Sequence, residues 1–155
     1  MDVDIIKITS TLAIAIMTSW FTVYFSLKRF RSEKWWEKKA DTYSSLLSAL
    51  HESKLFSETN LVAEKRSRDL TDQEDKALRE KSQESEMKIY REMDVGAFYL
   101  SEKAVRRLEL YKKQVSDAGS TNSWVQYLLD DLEATNSCIK SIIDIAREDL
   151  RVKRL

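Results

Sequence analysis

Across positions 8–27 the chain carries no charged side chain, and Lys7 on one side and Lys28, Arg29 and Arg31 on the other bracket the run. About 20 apolar residues is the length a helix needs to cross a bilayer's hydrocarbon core. The pattern therefore predicts a transmembrane anchor over 1–29 and a water-soluble domain over 30–155. A cleaved leader would open on basic residues and close on small ones. This chain instead opens Met1-Asp2-Val3-Asp4 and leaves the run through Phe25-Ser26-Leu27-Lys28. A buried core helix is the blander alternative, and the basic flank argues against it because it has the form of a stop-transfer signal. Trp20, Phe21, Tyr24 and Phe25 gather at the basic end, the depth at which amphipathic rings favour the headgroups. Lys34, Lys38 and Lys39 extend the basic flank while Lys7 stands alone opposite, so the positive-inside rule puts the C-terminal domain in the cytoplasm.

Thr11, Ala15, Thr18, Thr22 and Ser26 recur at four-three-four-four spacing, which lines small and hydroxyl-bearing residues along one face of the expected span. Such a stripe lets membrane helices approach closely and share hydrogen bonds, which points to self-association. The alternative is that each hydroxyl bonds back to a carbonyl of its own helix.

Beyond the span the periodicity remains helical. Two glycines and no proline in the chain leave few helix breakers, so the membrane helix is expected to continue as a stalk to about residue 57. Trp36, Ala40, Tyr43, Leu47 and Leu50 supply its packing seam at the a/d spacing. From 58 to 70 the pattern breaks up. Thr71-Asp72-Gln73-Glu74 reads as a capping box opening a second helix, which is polar over 79–86 and expected at the surface or partly frayed. Gly96-Ala97-Phe98-Tyr99-Leu100 is a short apolar link. Ser101 is the expected N-cap of a third helix with Ala104, Val105, Leu108, Tyr111 and Val115 buried, and Ala118-Gly119 is expected to end it in a left-handed cap. Ser123-Trp124-Val125-Gln126 reads as a further capping box. The last helix then carries Val125, Leu128, Leu129, Leu132, Ile139, Ile142, Ile143, Ala146 and Leu150 on its apolar face, with Arg147, Arg151, Lys153 and Arg154 at its C-terminus, where cations suit the helix dipole. At ~45 Å for ~30 residues it exceeds what a small monomeric bundle needs, leaving apolar surface for another subunit. The expected fold is all-α: an N-terminal transmembrane helix continuing into a cytoplasmic helical bundle.

Composition narrows the chemistry. The 26 basic and 26 acidic side chains cancel, so no global field draws the chain to DNA or other nucleic acid. One cysteine excludes an intrachain disulfide. The glycine content leaves no Gly-rich phosphate loop of the usual kinds. With His51 the only histidine and Cys138 the only thiol, no His-based metal set and no Cys-His pair can be assembled. His51 reads as solvated and Cys138 as packing. Asp130-Asp131 and Glu148-Asp149 are neighbours that do not share a helix face and read as solvated surface. No catalytic residue, metal or cofactor is expected, and an enzyme is the poorest hypothesis.

Binding fits better. Lys103, Arg106, Arg107, Lys112 and Lys113 make a basic surface on the third helix with Tyr111 among them, and Thr121, Asn122, Ser123 and Trp124 follow. Cations, a helix N-terminus and a stacking ring are what an anionic nucleotide requires. The candidate ligand-binding residues are therefore Lys103, Arg106, Arg107, Tyr111, Lys112, Asn122 and Trp124. The plainer alternative is that Glu102 and Glu109 neutralise the cations and Trp124 packs in the core. The stretch 28–39 is a second basic place, suited to anionic lipid headgroups.

The segment Phe30-Arg31-Ser32-Glu33-Lys34-Trp35-Trp36-Glu37-Lys38-Lys39-Ala40, directly after the expected span, resembles a juxtamembrane motif of small single-span bacterial membrane proteins. Asp94-Val95-Gly96-Ala97-Phe98 followed by Ser101-Glu102-Lys103-Ala104-Val105 resembles a second motif of that group. In layout the chain is also similar to the membrane effectors of type III CRISPR systems. In those, a membrane helix joins a cytoplasmic helical domain that binds cyclic tetra-adenylate, forms tetramers and perturbs the membrane. The resemblance implies a single-pass protein of the bacterial inner membrane and an antiviral defence effector. Its cytoplasmic domain would homo-oligomerise and bind a cyclic oligoadenylate. It carries no ligand residues onto this sequence; the basic cluster rests on charge and stacking alone. The other reading is a non-enzymatic, membrane-anchored scaffold that recruits a cytoplasmic protein. The hydroxyl stripe favours the effector, since a mere anchor has no need of it.

Overall fold

A computed structural model describes the backbone over residues 2–151 and side chains from Met17 to Arg151. Every regular element among the described residues is helical. Helix α1 is Asp2–Lys65, α2 is Asp72–Asp94, a 3-10 turn covers Gly96–Phe98, α3 is Glu102–Ala118 and α4 is Trp124–Asp149. The chain divides into two compact units, Met1–Glu37 and Lys38–Leu155.

In the first unit, the described side chains from Met17 onward are all exposed. Trp20 stacks on Tyr24 with ring centroids 5.9 Å apart and Phe21 on Phe25 at 6.4 Å, the neighbours that i,i+4 spacing creates. The apolar side chains cover the helix except for one strip holding Thr18, Thr22 and Ser26. Thr22 donates its hydroxyl to the Thr18 carbonyl at 2.8 Å, so at this position the hydroxyl bonds within its own helix. Thr11 and Ala15 of the stripe lie outside the described side chains. Among the described residues no helix is long and apolar enough to cross a membrane; the expected span reaches back to residue 8, beyond the first described side chain.

The second unit holds the core. Tyr43, Leu46, Ala49 and Leu50 of α1 meet Ile89 of α2, Leu100, Ala104, Leu108 and Tyr111 of the third segment, and Ala134, Cys138, Ile142 and Ala146 of α4. A smaller cluster of Phe56, Leu61 and Leu128 lies beside it. The short 119–123 connection makes α3 and α4 neighbours of opposite direction, and Val105 and Val115 pack partly buried against the core.

Local signals place the helix ends well. Thr71 and Glu74 form the full reciprocal capping box, and the Ser101 and Ser123 hydroxyls accept the amides of Ala104 and Gln126. At Ser123 only half of the expected box forms, because the Gln126 side chain donates forward to Asp130 at 2.7 Å. Helix α1 also runs past the expected break, through buried Asn60 and Leu61 to Lys65. It ends in a Schellman turn: Ser67 adopts φ 48°, its amide bonds Glu64 O, and the Arg68 amide bonds Ala63 O. Gly119, expected to be left-handed, sits at φ −64° with its amide on Val115 O, and α3 ends by tightening through Ser120 and Thr121 instead.

The buried face of α4 is also turned from the expected one. Leu128, Asp131, Ala134, Thr135, Cys138, Ile142 and Ala146 are inside, whereas Val125 and Leu129 are exposed. A reading of apolar positions alone passes over Asp131 and Thr135, whose polar atoms find partners in the core.

Candidate functional site

The α3 cations are mostly engaged. Lys103 bonds Glu148 at 2.7 Å and Arg106 bonds Glu102 at 2.5 Å. The Glu148 bond raises the Lys103 ammonium above its ordinary value. Arg107 reaches neutral groups only, Gln114 at 3.3 Å and Ser137 at 3.2 Å, and Lys112 lies over the Tyr90 ring at 4.9 Å. Tyr111 is a core residue, 5 % exposed, and burial pushes its phenol up to about 12. Asn122 is exposed in the connection. Trp124 stacks on Tyr127 at 5.4 Å and meets Phe56 edge-on at 6.2 Å, yet remains 40 % exposed.

These residues do not converge. Lys103 sits beside Glu148, and along α4 that is about 36 Å from Trp124 at 1.5 Å per residue. Arg107 sits by Ser137, about 20 Å from Trp124. Tyr111 and Lys112 share a hollow, a cavity of about 40 Å³ that they line with Ser53, Tyr90, Tyr127 and Asp131.

Asp131 was expected at the surface. It is instead 5 % exposed and accepts a 2.5 Å hydrogen bond from the Ser57 hydroxyl. Burial raises its carboxyl pKa; the Ser57 bond opposes the rise and the Glu86 charge adds to it. Thr135 donates to the Asp131 carbonyl at 2.8 Å and lies 3.4 Å from the Tyr111 hydroxyl. Asp149, likewise expected to be solvated, binds Lys39 at 3.2 Å and accepts from Tyr43. Burial alone would raise its pKa, but the bonds from Tyr43 and Ser101 and the Lys39 charge outweigh it and hold the carboxyl below its usual range. Burial and the Asp149 bond push Tyr43 up to about 12. These carboxylates join α1 to α4 from positions far apart in the chain, a signal that no local spacing carries.

A second feature absent from the sequence reading is a cleft of about 300 Å³ where the end of α1, the following turn and the first turns of α2 and α4 meet. Asn60, Glu64, Arg68, Asp69, Asp72, Asp75, Arg79 and Trp124 line it. Its only advance signal is the run of acidic residues 69–75 around Trp124's side of the fold.

For catalysis the inventory is thin. His51 is exposed. Cys138 is fully buried, and burial pushes its thiol up to about 11, which suppresses the nucleophilic thiolate. Among the described residues no group of three or more His, Cys, Asp or Glu side chains is arranged to hold a metal ion. Protein-family models, curated proteins and solved structures yield no match to this chain.

Proposed function

We propose that this chain is a single-span protein of the bacterial cell membrane whose cytoplasmic helical unit acts by binding, as a non-enzymatic scaffold that recruits a protein partner. The observation that supports the anchor most is the exposure of Trp20, Phe21, Val23, Tyr24, Phe25 and Leu27 around the first unit's helix, followed by Lys28, Arg29 and Arg31. A helix that is apolar on nearly every side is stable where lipid covers it. Recruitment is favoured over a small anionic ligand because the Lys103 and Arg106 charges are met within the protein and the candidate residues spread along α3 and α4.

A second reading keeps the antiviral effector gated by a cyclic oligoadenylate. Cations such as that of Arg107 favour it, since among the described residues its guanidinium reaches only the neutral groups of Gln114 and Ser137. In an oligomer such as a tetramer, these cations from several copies would surround one ligand, which would have to bind the active arrangement more tightly than the resting one.

Two measurements test the proposal. Alkaline carbonate should leave the full-length chain in the membrane fraction, and a reporter after residue 155 should face the cytoplasm; release of intact chain into the soluble fraction overturns the anchor. Titration of detergent-solubilised chain with cyclic tri-, tetra- and hexa-adenylate should show no saturable binding. Saturation by any of them replaces the scaffold with the effector.

A further inference from the structure

Helix α4 carries two stripes, and the one turned away from the core is the more apolar. Its buried face has two large aliphatic side chains, Leu128 and Ile142, among Asp131, Thr135, Cys138 and alanines. Beside that face Val125, Leu129, Leu132, Asn136, Ile139 and Ile143 recur at four-three-four-three-four spacing, the a/d repeat of a helix that packs on another helix. Val125 and Leu129 are 43 % and 44 % exposed, and Asn136 is exposed. Leu132, Ile139 and Ile143 are half-buried, Leu132 and Ile139 turning one side to the core clusters. An aliphatic row left open along one helix marks a contact between proteins.

The charges at its edge say what covers it. Taking Leu129, Asn136 and Ile143 as a positions and Val125, Leu132 and Ile139 as d, the exposed Glu133 and Lys140 both fall at e, on the outward edge of the stripe. In a parallel pair an e residue faces a g residue of the other helix. Here that would set Glu133 against Leu128 and Lys140 against Thr135, which are fully buried within their own unit and offer no charge. In an antiparallel pair e faces e. Layers of a against d then place Leu132 on the second copy's Ile143 and Asn136 on its Ile139, and Glu133 meets Lys140 of the second copy. The two-fold axis of such a pair repeats every contact, so the ion pair forms twice. The same register brings the two Asn136 side chains into adjacent layers on either side of the axis, where a polar residue in an apolar seam fixes alignment at some cost in stability.

We propose that the outward stripe of α4 is a homodimer seam, covered by the same stripe of a second copy running antiparallel to it. The seam uses one face of one helix and is self-complementary in both shape and charge, so it asks for no other partner. It stands apart from how the chain is anchored and from what it recruits.

The test measures the mass of the full-length chain in detergent by sedimentation equilibrium across a concentration series. A monomer–dimer equilibrium is expected. Leu129→Glu, at an exposed position, should weaken it about tenfold or more by burying a charge in the seam, with helix content and melting of the monomer unchanged. Glu133→Lys and Lys140→Glu should each weaken the dimer about fivefold or more, because two attractive pairs become two repulsive ones. The double change Glu133→Lys/Lys140→Glu should restore wild-type affinity, since each cation again meets a carboxylate. A chain that stays monomeric overturns the proposal. A dimer indifferent to Leu129→Glu is held by another surface, such as the first unit's helix, and overturns it too. Single charge changes without effect, or a double change that fails to restore the dimer, rule out the antiparallel pairing.

Discussion

Ser57 on α1 holds the buried carboxylate of Asp131 on α4 by a hydrogen bond across 74 positions of sequence. Around that carboxylate stand Tyr111 of α3, Glu86 of α2, and Tyr127 of its own helix, with Lys112 lining the same cavity. Because the folded pKa is raised, the folded protein holds this proton more tightly than the unfolded chain does. The stability due to Asp131 is therefore greatest below the ordinary carboxylate range near 3.9 and declines as pH rises through the folded value. Asp131→Asn keeps an acceptor for Ser57 and removes the charge. Denaturant titrations of the full-length chain should find the variant more stable than wild type at pH 7, with the gap closing on acidification. A variant weaker than wild type at pH 7 would show that the ionised carboxylate supports the fold.

Asp149 has the opposite sign. Its pKa is depressed, so its contribution is complete above the unfolded carboxylate value and is lost as pH falls through the folded one. Asp149→Asn weakens the links to Lys39 and Tyr43 and should cost about 1–3 kcal/mol at pH 7. Repeating the measurement near pH 3 should shrink the difference, and a constant difference across pH would mean that the charge plays no part.

Backbone conformation at two turns makes a paired test. Ser67 occupies the left-handed region that costs a side chain roughly 1–2 kcal/mol, so Ser67→Gly should raise stability by about 0.5–1 kcal/mol after the unfolded chain's gain in freedom. Gly119 is right-handed, and a Cβ there would lie 3.4 Å from the Ser116 carbonyl oxygen. Gly119→Ala should therefore stabilise by about 0.4–1 kcal/mol. Melting temperatures of both variants decide the matter, and a fall for Gly119→Ala would restore the left-handed cap.

The rotation of α4 is tested by truncation. Ile142 and Leu108 are fully buried, and cutting either to Ala should cost about 2–5 kcal/mol. Leu129→Ala on the exposed side should change stability by less than about 0.5 kcal/mol in the isolated chain. If Leu129→Ala is as costly as Ile142→Ala, the apolar stripe read along the sequence is the true core face, or an assembled partner covers it.

The all-helical class, the caps at Thr71, Ser101 and Ser123, and the buried set Ala104, Leu108 and Tyr111 were legible in the sequence. A cap and its amide lie three residues apart, and a helix face repeats every three or four, so the information is local. Local spacing also overreached: it placed a left-handed turn at Gly119 and surface carboxylates at Asp131 and Asp149. It also gathered Lys103, Arg107 and Trp124 into one cluster that the helices hold far apart. Where a polar side chain ends up depends on partners that only folding supplies, such as Ser57 for Asp131 and Tyr43, 106 positions away, for Asp149. The cleft at Asn60 belongs to the same class, because helix ends distant in sequence form it and no single segment records its shape. The sequence by itself determined where α2, α3 and α4 start, because a cap and its amide are local; tertiary packing decided which face of α4 is buried, which charges are paired and where the clefts open, because those partners lie far apart in the chain.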